Sequence, residues 1–214
     1  VTKEGVKLHL NTEATVESIL AEQPDSVVIA TGSIPLRTGY SSHKPDVSKI
    51  PGVEQQNVLT VWDVFKRSGD IGKNVVLIDE DPHMSSIFTA EHLADIGKNV
   101  EIITPNVHAA RDIETSFLPS IYRRILPKGV TITPNTIVTG ISGSSVICCN
   151  KYTYQSRQIN GIDTVILAMG NQANNELYFA LKGHVPEIYA IGDCLTPRKI
   201  EDAIVDGERV GRML

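Results

Sequence analysis

The chain contains three short runs of apolar residues, and each has the length of a strand. They are residues 27–30 (VVIA), 75–78 (VVLI) and 165–169 (VILAM). Continuous apolar positions, rather than alternating ones, are typical of strands that are buried on both faces in a parallel sheet. We therefore predict three such strands, the first ending before Gly32 and the last before Gly170.

Segments with helical periodicity lie between the strands. Residues 86–96 place Ile87, Ala90 and Leu93 on one face and stop at Gly97, as expected of an amphipathic helix with a glycine after its last turn. With the strands at 75–78 and 100–104, this helix forms a right-handed βαβ unit. We also predict helices over 58–69, 114–126 and 198–214, a short helix or turn at 15–21, and strands at 6–10, 130–133, 136–141, 145–149, 152–158 and 188–191.

Composition and charge narrow the classes of protein that fit this pattern. The chain has 214 residues, 41% hydrophobic and 21% charged, with a net charge of −5. We therefore expect one or two globular domains and no binding to nucleic acid. The apolar runs are far shorter than the ~20 residues that span a bilayer, so we expect no membrane partner.

The ends of the chain and its cysteines indicate a compartment. Three cysteines without a CxxC motif, and no signal peptide, predict a reducing, cytoplasmic location. The sequence opens with Val1 instead of Met, from which we expect a fragment or a processed chain. The oligomeric state stays open, and a homo-oligomer is compatible with the sequence.

Two glycine turns follow predicted strands and are the best candidates for ligand binding. The first is Ala30, Thr31 and Gly32, and the second is Gly192 and Asp193. Glycine allows a ligand to approach the backbone closely, and an aspartate before a helix can accept a hydrogen bond from a ribose hydroxyl. We predict that these five residues bind a nucleotide, with no catalytic residue and no metal ligand in the chain.

Several motifs together resemble one family. They are VIATGSIP (28–35), IPG (50–52), KNVVLIDED (73–81), AEHLADIG (90–97), YAIGDC (189–194) and PRKIEDAI (197–204). In this order they resemble the C-terminal nucleotide-binding region of the trimethylamine dehydrogenase / 2,4-dienoyl-CoA reductase family of flavin oxidoreductases. The resemblance covers most of the chain.

The resemblance implies a fold and a domain plan. It implies an α/β, three-layer, FAD/NAD(P)-binding Rossmann-like fold, in which an NAD-type domain at 59–170 is inserted into an incomplete FAD-type, ADP-binding domain made of 1–58 and 171–214. FAD or ADP would occupy the first domain. In the family, FMN and an iron–sulfur cluster belong to an N-terminal barrel, which this sequence lacks and which would be its partner.

The inserted domain departs from the family pattern at its expected nucleotide loop. A glycine-rich loop should follow the strand at 75–78, but Asp79, Glu80 and Asp81 follow it instead. At ~4 Å, a like-charge contact with a pyrophosphate costs ~4 kcal/mol at an effective dielectric constant of 20. We therefore do not expect NAD(H) to bind there in the usual way. A loop that caps the next helix, with Ser85 or Ser86 as N-cap, explains the acidic segment better than a metal site.

The sequence thus predicts the nucleotide-binding part of an FMN/FAD- and iron–sulfur-type oxidoreductase, without a complete active site of its own. The alternative is a non-catalytic structural or interaction module in which both nucleotide sites are vestigial. A complete NAD(P)H-dependent reductase of the disulfide-reductase type is disfavoured, because the sequence contains neither CxxC nor a glycine-rich loop.

Overall fold

The computed structural model describes residues 5–66 and 71–214. The helices are α1 Val16–Ala21, α2 Val61–Lys66, α3 Ser85–Asp95, α4 Leu118–Ile125, α5 Glu176–Leu181 and α6 Ile200–Gly211, with 3-10 turns at Leu126–Lys128 and Gly192–Cys194. The strands are β1 Ser26–Ile29, β2 Ser33–Pro35, β3 Val58–Thr60, β4 Asn74–Asp79, β5 Asn99–Ile103, β6 Thr131–Thr133, β7 Thr136–Ser142, β8 Ser145–Asn150, β9 Ser156–Asn160, β10 Thr164–Ala168, β11 Asn171–Ala173 and β12 Glu187–Ala190.

The chain divides into two compact units. The first, called unit 1, comprises the chain up to Ile34 together with Gln172–Leu214, and unit 2 comprises Pro35–Asn171. The Pro- and Gly-rich connector at 35–57, which the family resemblance assigns to the FAD-type domain, lies in unit 2, where Ile50 and Val53 are buried. The domain limits at 58 and 171 remain a prediction.

Unit 2 is built on a five-stranded parallel sheet. Its strand order is β3-β10-β4-β5-β6, and every neighbouring pair runs parallel. The central strands β4 and β10 are buried along almost their whole length, so the prediction of buried parallel strands from the second and third apolar runs is confirmed.

Alternate residues of these strands enter two separate cores. On β4, Val75 and Leu77 pack with Ile87 and Leu93 of α3 on one face of the sheet. The residues between them, Val76 and Ile78, pack on the other face. Because successive side chains of a strand point to opposite faces, one continuous apolar run supplies both cores.

The second face of that sheet is covered by a β-meander. Strands β7, β8 and β9 pair antiparallel in sequence order, as predicted. Val138 of β7 and Val146 of β8 face the sheet, together with Ile50 from the connector.

Unit 1 contains a smaller parallel pair. Strands β1 and β12 pair parallel, with Ile29 opposite Ala190, and the core includes Ile29, Leu181 and Cys194. Val28 is 37% exposed, so the prediction that β1 is buried on both faces is wrong. Within the described residues β1 pairs with β12 alone, and this narrow sheet is not covered on both sides.

Three predictions of secondary structure are wrong in whole or in part. Residues 6–10 form no strand, and Leu10 is 77% exposed. The segment predicted as a helix over 58–69 begins instead as strand β3, because Val58 to Thr60 pair with β10; its predicted end at Gly69 lies outside the described residues. The N-cap of α3 is Met84, without a side-chain cap. Ser85 is the first residue of the helix, and its hydroxyl donates to Asp81.

The described part of the chain thus has an α/β fold with parallel sheets. Over residues 5–66 and 71–214, no helix combines the length and the apolar character that crossing a membrane requires.

Candidate functional site

The two predicted glycine turns lie side by side in unit 1. Since β1 and β12 run parallel and in register, the residues that follow them emerge at the same edge of the sheet. The Ile191 backbone N–H donates to the Ile29 carbonyl at 3.0 Å, which continues the pairing up to the turns.

A cavity of about 480 Å³ opens at this edge. A Cβ atom at Gly32 would meet no atom within 4 Å, so the Gly32 backbone borders open space. Thr31 is not among the residues that line the cavity, and its hydroxyl donates to the Asn174 carbonyl. The lining residues are Ala30, Gly32, Ile191, Gly192, Asp193, Arg198, Ile200 and Ala203.

The Asp193 carboxylate is fixed at the cavity by two hydrogen bonds. The Ser33 hydroxyl donates to Oδ2 at 2.9 Å, and the Arg198 backbone N–H donates to Oδ1 at 3.2 Å. A carboxylate offers about four acceptor positions. Asp193 can therefore accept further hydrogen bonds from a ligand while the two existing ones orient it.

Gly192 makes the tight turn that presents Asp193. Its φ of +62° lies in the left-handed region, which glycine adopts without the strain other residues incur. A Cβ at this position would also lie 3.3 Å from the Ala203 side chain. The Gly192 N–H donates to Asp206 Oδ2 at 3.1 Å.

Four of the five predicted site residues therefore lie at the cavity, and one does not. Ala30, Gly32, Gly192 and Asp193 border one cavity, whereas Thr31 holds a neighbouring loop. Six residues that were not predicted complete the site, namely Ser33, Ile191, Arg198, Ile200, Ala203 and Asp206. All of them except Asp206 lie within the motifs VIATGSIP, YAIGDC and PRKIEDAI, which could have indicated them. Asp206 carried no recognisable signal.

The carboxyl edge of β4 in unit 2 is occupied by the protein's own acidic side chains. Asp79, the last residue of β4, is fully buried, and its Oδ2 accepts the Ala110 N–H at 3.1 Å. Burial raises the pKa of Asp79 to about 6, although the Ala110 N–H favours the ionised form. Thr104, which follows β5 where dinucleotide-binding folds usually carry an acidic residue that holds the ribose, is also fully buried.

Glu80 lies against the loop that carries Ser41 and His43, whereas Asp81 bonds within its own loop. Burial raises the pKa of Glu80 to about 7, against the opposing effect of the Ser41 hydroxyl. The His43 Nδ1 atom lies 3.9 Å from the Glu80 carboxylate. Asp81 accepts the His83 N–H at 3.0 Å. Among the residues that the structure describes, no group of three or more His, Cys, Asp or Glu side chains could hold a metal ion.

The relatives and solved structures that match this chain are longer oxidoreductases. No protein-family model matches the chain. It is 27% identical to an N,N-dimethylglycine/sarcosine dehydrogenase of Chromohalobacter salexigens, over 96% of this chain and 34% of that protein. The histamine dehydrogenase of Rhizobium sp. 4-9 superposes with a TM-score of 0.86 at 27% identity, over 95% of this chain and 33% of that one.

A solved 2-naphthoyl-CoA reductase is 33% identical, with a TM-score of 0.83 over 98% of this chain and 30% of that one. The chain thus spans about a third of the length of the relatives that it matches. An engineered NADPH oxidase bound to NADPH matches at 18% identity with a TM-score of 0.61. This more distant likeness shows the fold alone, which is that of FAD/NAD(P)-binding Rossmann-like domains.

Proposed function

We propose, from the match of this chain to the C-terminal nucleotide-binding third of the trimethylamine dehydrogenase family of flavin oxidoreductases, that unit 1 binds FAD or ADP in its cavity. Gly32 and Gly192 would allow the ligand to approach the backbone, and Asp193 would accept a hydrogen bond from a ligand hydroxyl. FAD, when bound, supplies the redox chemistry itself, and the protein's task is to bind and orient it.

One observation carries this proposal. The parallel pairing of β1 with β12 places both glycine turns at one cavity, together with an Asp193 carboxylate that Ser33 and Arg198 hold in place. Ligands of open α/β sheets bind outside the carboxyl ends of the strands, which is where this cavity lies.

Unit 2 would keep the NAD-type fold without binding NAD(H) in the usual way. Asp79 and Glu80 occupy the edge where a pyrophosphate would need neutral backbone N–H groups. A pyrophosphate would there meet carboxyl groups instead of glycines. This supports a vestigial nucleotide site in unit 2. The fold of unit 2 would then be kept for packing or for relaying contacts.

The remaining activity would belong to the rest of a longer enzyme. An N-terminal barrel with FMN and an iron–sulfur cluster would be the partner of this region and would act on the substrate, in the cytoplasm. The narrow β1–β12 sheet favours completion by further chain, since two strands alone form a marginal sheet.

Titration with four nucleotides tests the proposal. ADP or FAD is expected to bind in calorimetry and to raise the thermal midpoint by mass action, whereas NADH and NADPH should leave both signals unchanged. Asp193→Asn should weaken binding of ADP or FAD about tenfold, because it removes a charged acceptor.

A matched control lies on the same strand pair. Glu187 also accepts hydroxyl groups, those of Ser26 and Tyr189, but at the opposite end of β12. Glu187→Gln should leave the affinity unchanged. Binding of NADH that is as strong in Asp193→Asn as in the wild type would contradict the interpretation of unit 2. The absence of binding by all four nucleotides would favour the alternative, a structural module.

A further inference from the structure

Asp206 of α6 is a buried carboxylate that joins two parts of the cavity wall. Its residue is 7% exposed, and its Oδ2 accepts both the Gly192 N–H, at 3.1 Å, and the Arg198 guanidinium. Burial opposes ionisation, but the Gly192 N–H and the Arg198 guanidinium hold the pKa of Asp206 below its usual range. Asp206 is therefore an anion at neutral pH, and the Arg209 guanidinium lies 3.9 Å from its other oxygen, Oδ1.

These contacts close a ring of hydrogen bonds around the turn. Asp206 holds Gly192 and the Arg198 side chain, and the Arg198 backbone N–H in turn donates to Asp193 Oδ1 at 3.2 Å. The Arg198 Nε atom also donates to the Thr196 carbonyl at 3.2 Å. Asp193 is thus oriented from both sides, through Gly192 in the chain and through Arg198 in space.

The ring also decides which groups a ligand can meet. The Gly192 N–H is used by Asp206, so it is not offered to a phosphate. Arg198 lines the cavity, but its guanidinium is paired with Asp206. What the turn presents is the carboxylate of Asp193, an acceptor suited to hydroxyl groups.

We infer that Asp206 is a positioning residue of this site, which orients Asp193 toward a ligand hydroxyl by holding Gly192 and Arg198 together. The inference rests on the proposed binding of FAD or ADP in unit 1. It adds a residue with no direct place in the cavity wall, since Asp206 does not itself line the cavity.

A double-mutant cycle in the full chain separates positioning from a general structural role. The variants are Asp206→Leu, Asp206→Asn, Asp193→Asn and Asp206→Leu combined with Asp193→Asn, each titrated with ADP and with FAD. Asp206→Leu should weaken binding about tenfold, whereas Asp206→Asn, which keeps an acceptor for Gly192, should cost less than about threefold. Where Asp193 is already Asn, adding Asp206→Leu should cost less than about threefold, because the two residues act through one contact.

Additive losses in the cycle would overturn the inference, and so would equal losses from Asp206→Leu and Asp206→Asn. Glu208→Gln is the control, because Glu208 lies on the same helix and pairs only with exposed Arg212 among the described ion pairs. Thermal midpoints of all variants show whether any has unfolded.

The amide signal of Gly192 provides a readout that does not need a ligand. In the nucleotide-free protein, Asp206→Leu should shift the Gly192 amide proton upfield, since a bond to a carboxylate is lost, and Asp206→Asn should shift it less. An unchanged signal would overturn the inference whatever binds. If the wild type binds neither ADP nor FAD while the Gly192 signal shifts, the proposed function fails and the hydrogen-bond ring stands.

Discussion

Replacing Asp79 by asparagine is expected to stabilise unit 2 by about 2 kcal/mol at pH 8 and by much less at pH 5. The fully buried Asp79 has a pKa raised from 3.8 to about 6 by burial. The pKa of Asp79 in the folded chain is thus about 2 pH units above its ordinary value. At 1.36 kcal/mol per pH unit, this corresponds to a cost of about 3 kcal/mol for the ionised form. Asparagine removes the charge and can still accept the Ala110 N–H, but it keeps the cost of a buried amide, so the gain is smaller.

The sign of this pH dependence follows from proton binding. Below pH 3.8 the Asp79 carboxyl is protonated in both states, and its ionisation costs the folded state nothing. Between pH 3.8 and about 6 the unfolded chain has lost the proton that the folded chain keeps, so the stability of unit 2 falls as the pH rises. Glu80, with a pKa raised to about 7, adds a decline of the same sign that ends about one pH unit higher.

Urea denaturation followed by Trp62 fluorescence measures this effect, because Trp62 is the single tryptophan of the chain and lies in unit 2. Asp112→Asn is the control, since Asp112 is exposed and pairs with the exposed Arg111. Wild-type stability that rises between pH 5 and pH 8 for this unit, or an Asp79→Asn variant that is weaker at pH 8, would contradict the prediction.

Gly52→Ala is expected to lower the free energy of unfolding of unit 2 by about 4 kcal/mol. The φ of Gly52 is +85°, and a Cβ would lie 1.9 Å from the Ile141 carbonyl oxygen and 2.6 Å from Gln55 Nε2. The connector and β7 cannot separate easily there, because the Ile141 N–H donates to the Pro51 carbonyl at 2.8 Å and Gln55 Nε2 to the Ile141 carbonyl at 3.0 Å. The clash therefore breaks the docking of the connector.

Gly129→Ala separates the clash from the backbone strain. Gly129 has the same φ of +85°, but no atom lies within 4 Å of its Cβ position, so only the ~1–2 kcal/mol of a left-handed alanine is expected. Both variants can be measured by the same fluorescence unfolding. Equal losses at the two positions would show that the contact between the connector and β7 is not rigid.

Much of unit 2 could be predicted from local patterns. The runs at 75–78 and 165–169 are apolar at every position, as expected of strands that are buried on both faces, and both became central strands of the parallel sheet. The run at 27–30 looked the same, yet β1 lies in a pair with β12 and stays partly exposed at Val28. An apolar run reports the tendency to be buried, but the number of neighbouring strands decides whether it is.

Other assignments failed because a tertiary partner outweighed a local preference. Residues 58–60 continue a helical pattern, but they pair with β10 and extend the sheet. Residues 6–10 alternate like a strand, but they have no strand to pair with among the described residues.

The sequence by itself determined the α/β class, the central strands and the positions of the glycine turns, because each depends on residue type within a few neighbours. Only the tertiary structure decided that Ala30, Gly32, Gly192 and Asp193 border one cavity, that Thr31 does not, and that Asp206 lies behind the turn. It also decided that Asp79 is fully buried. These features join residues distant in the chain, and the parallel pairing of strands, which no local pattern encodes, brings them together.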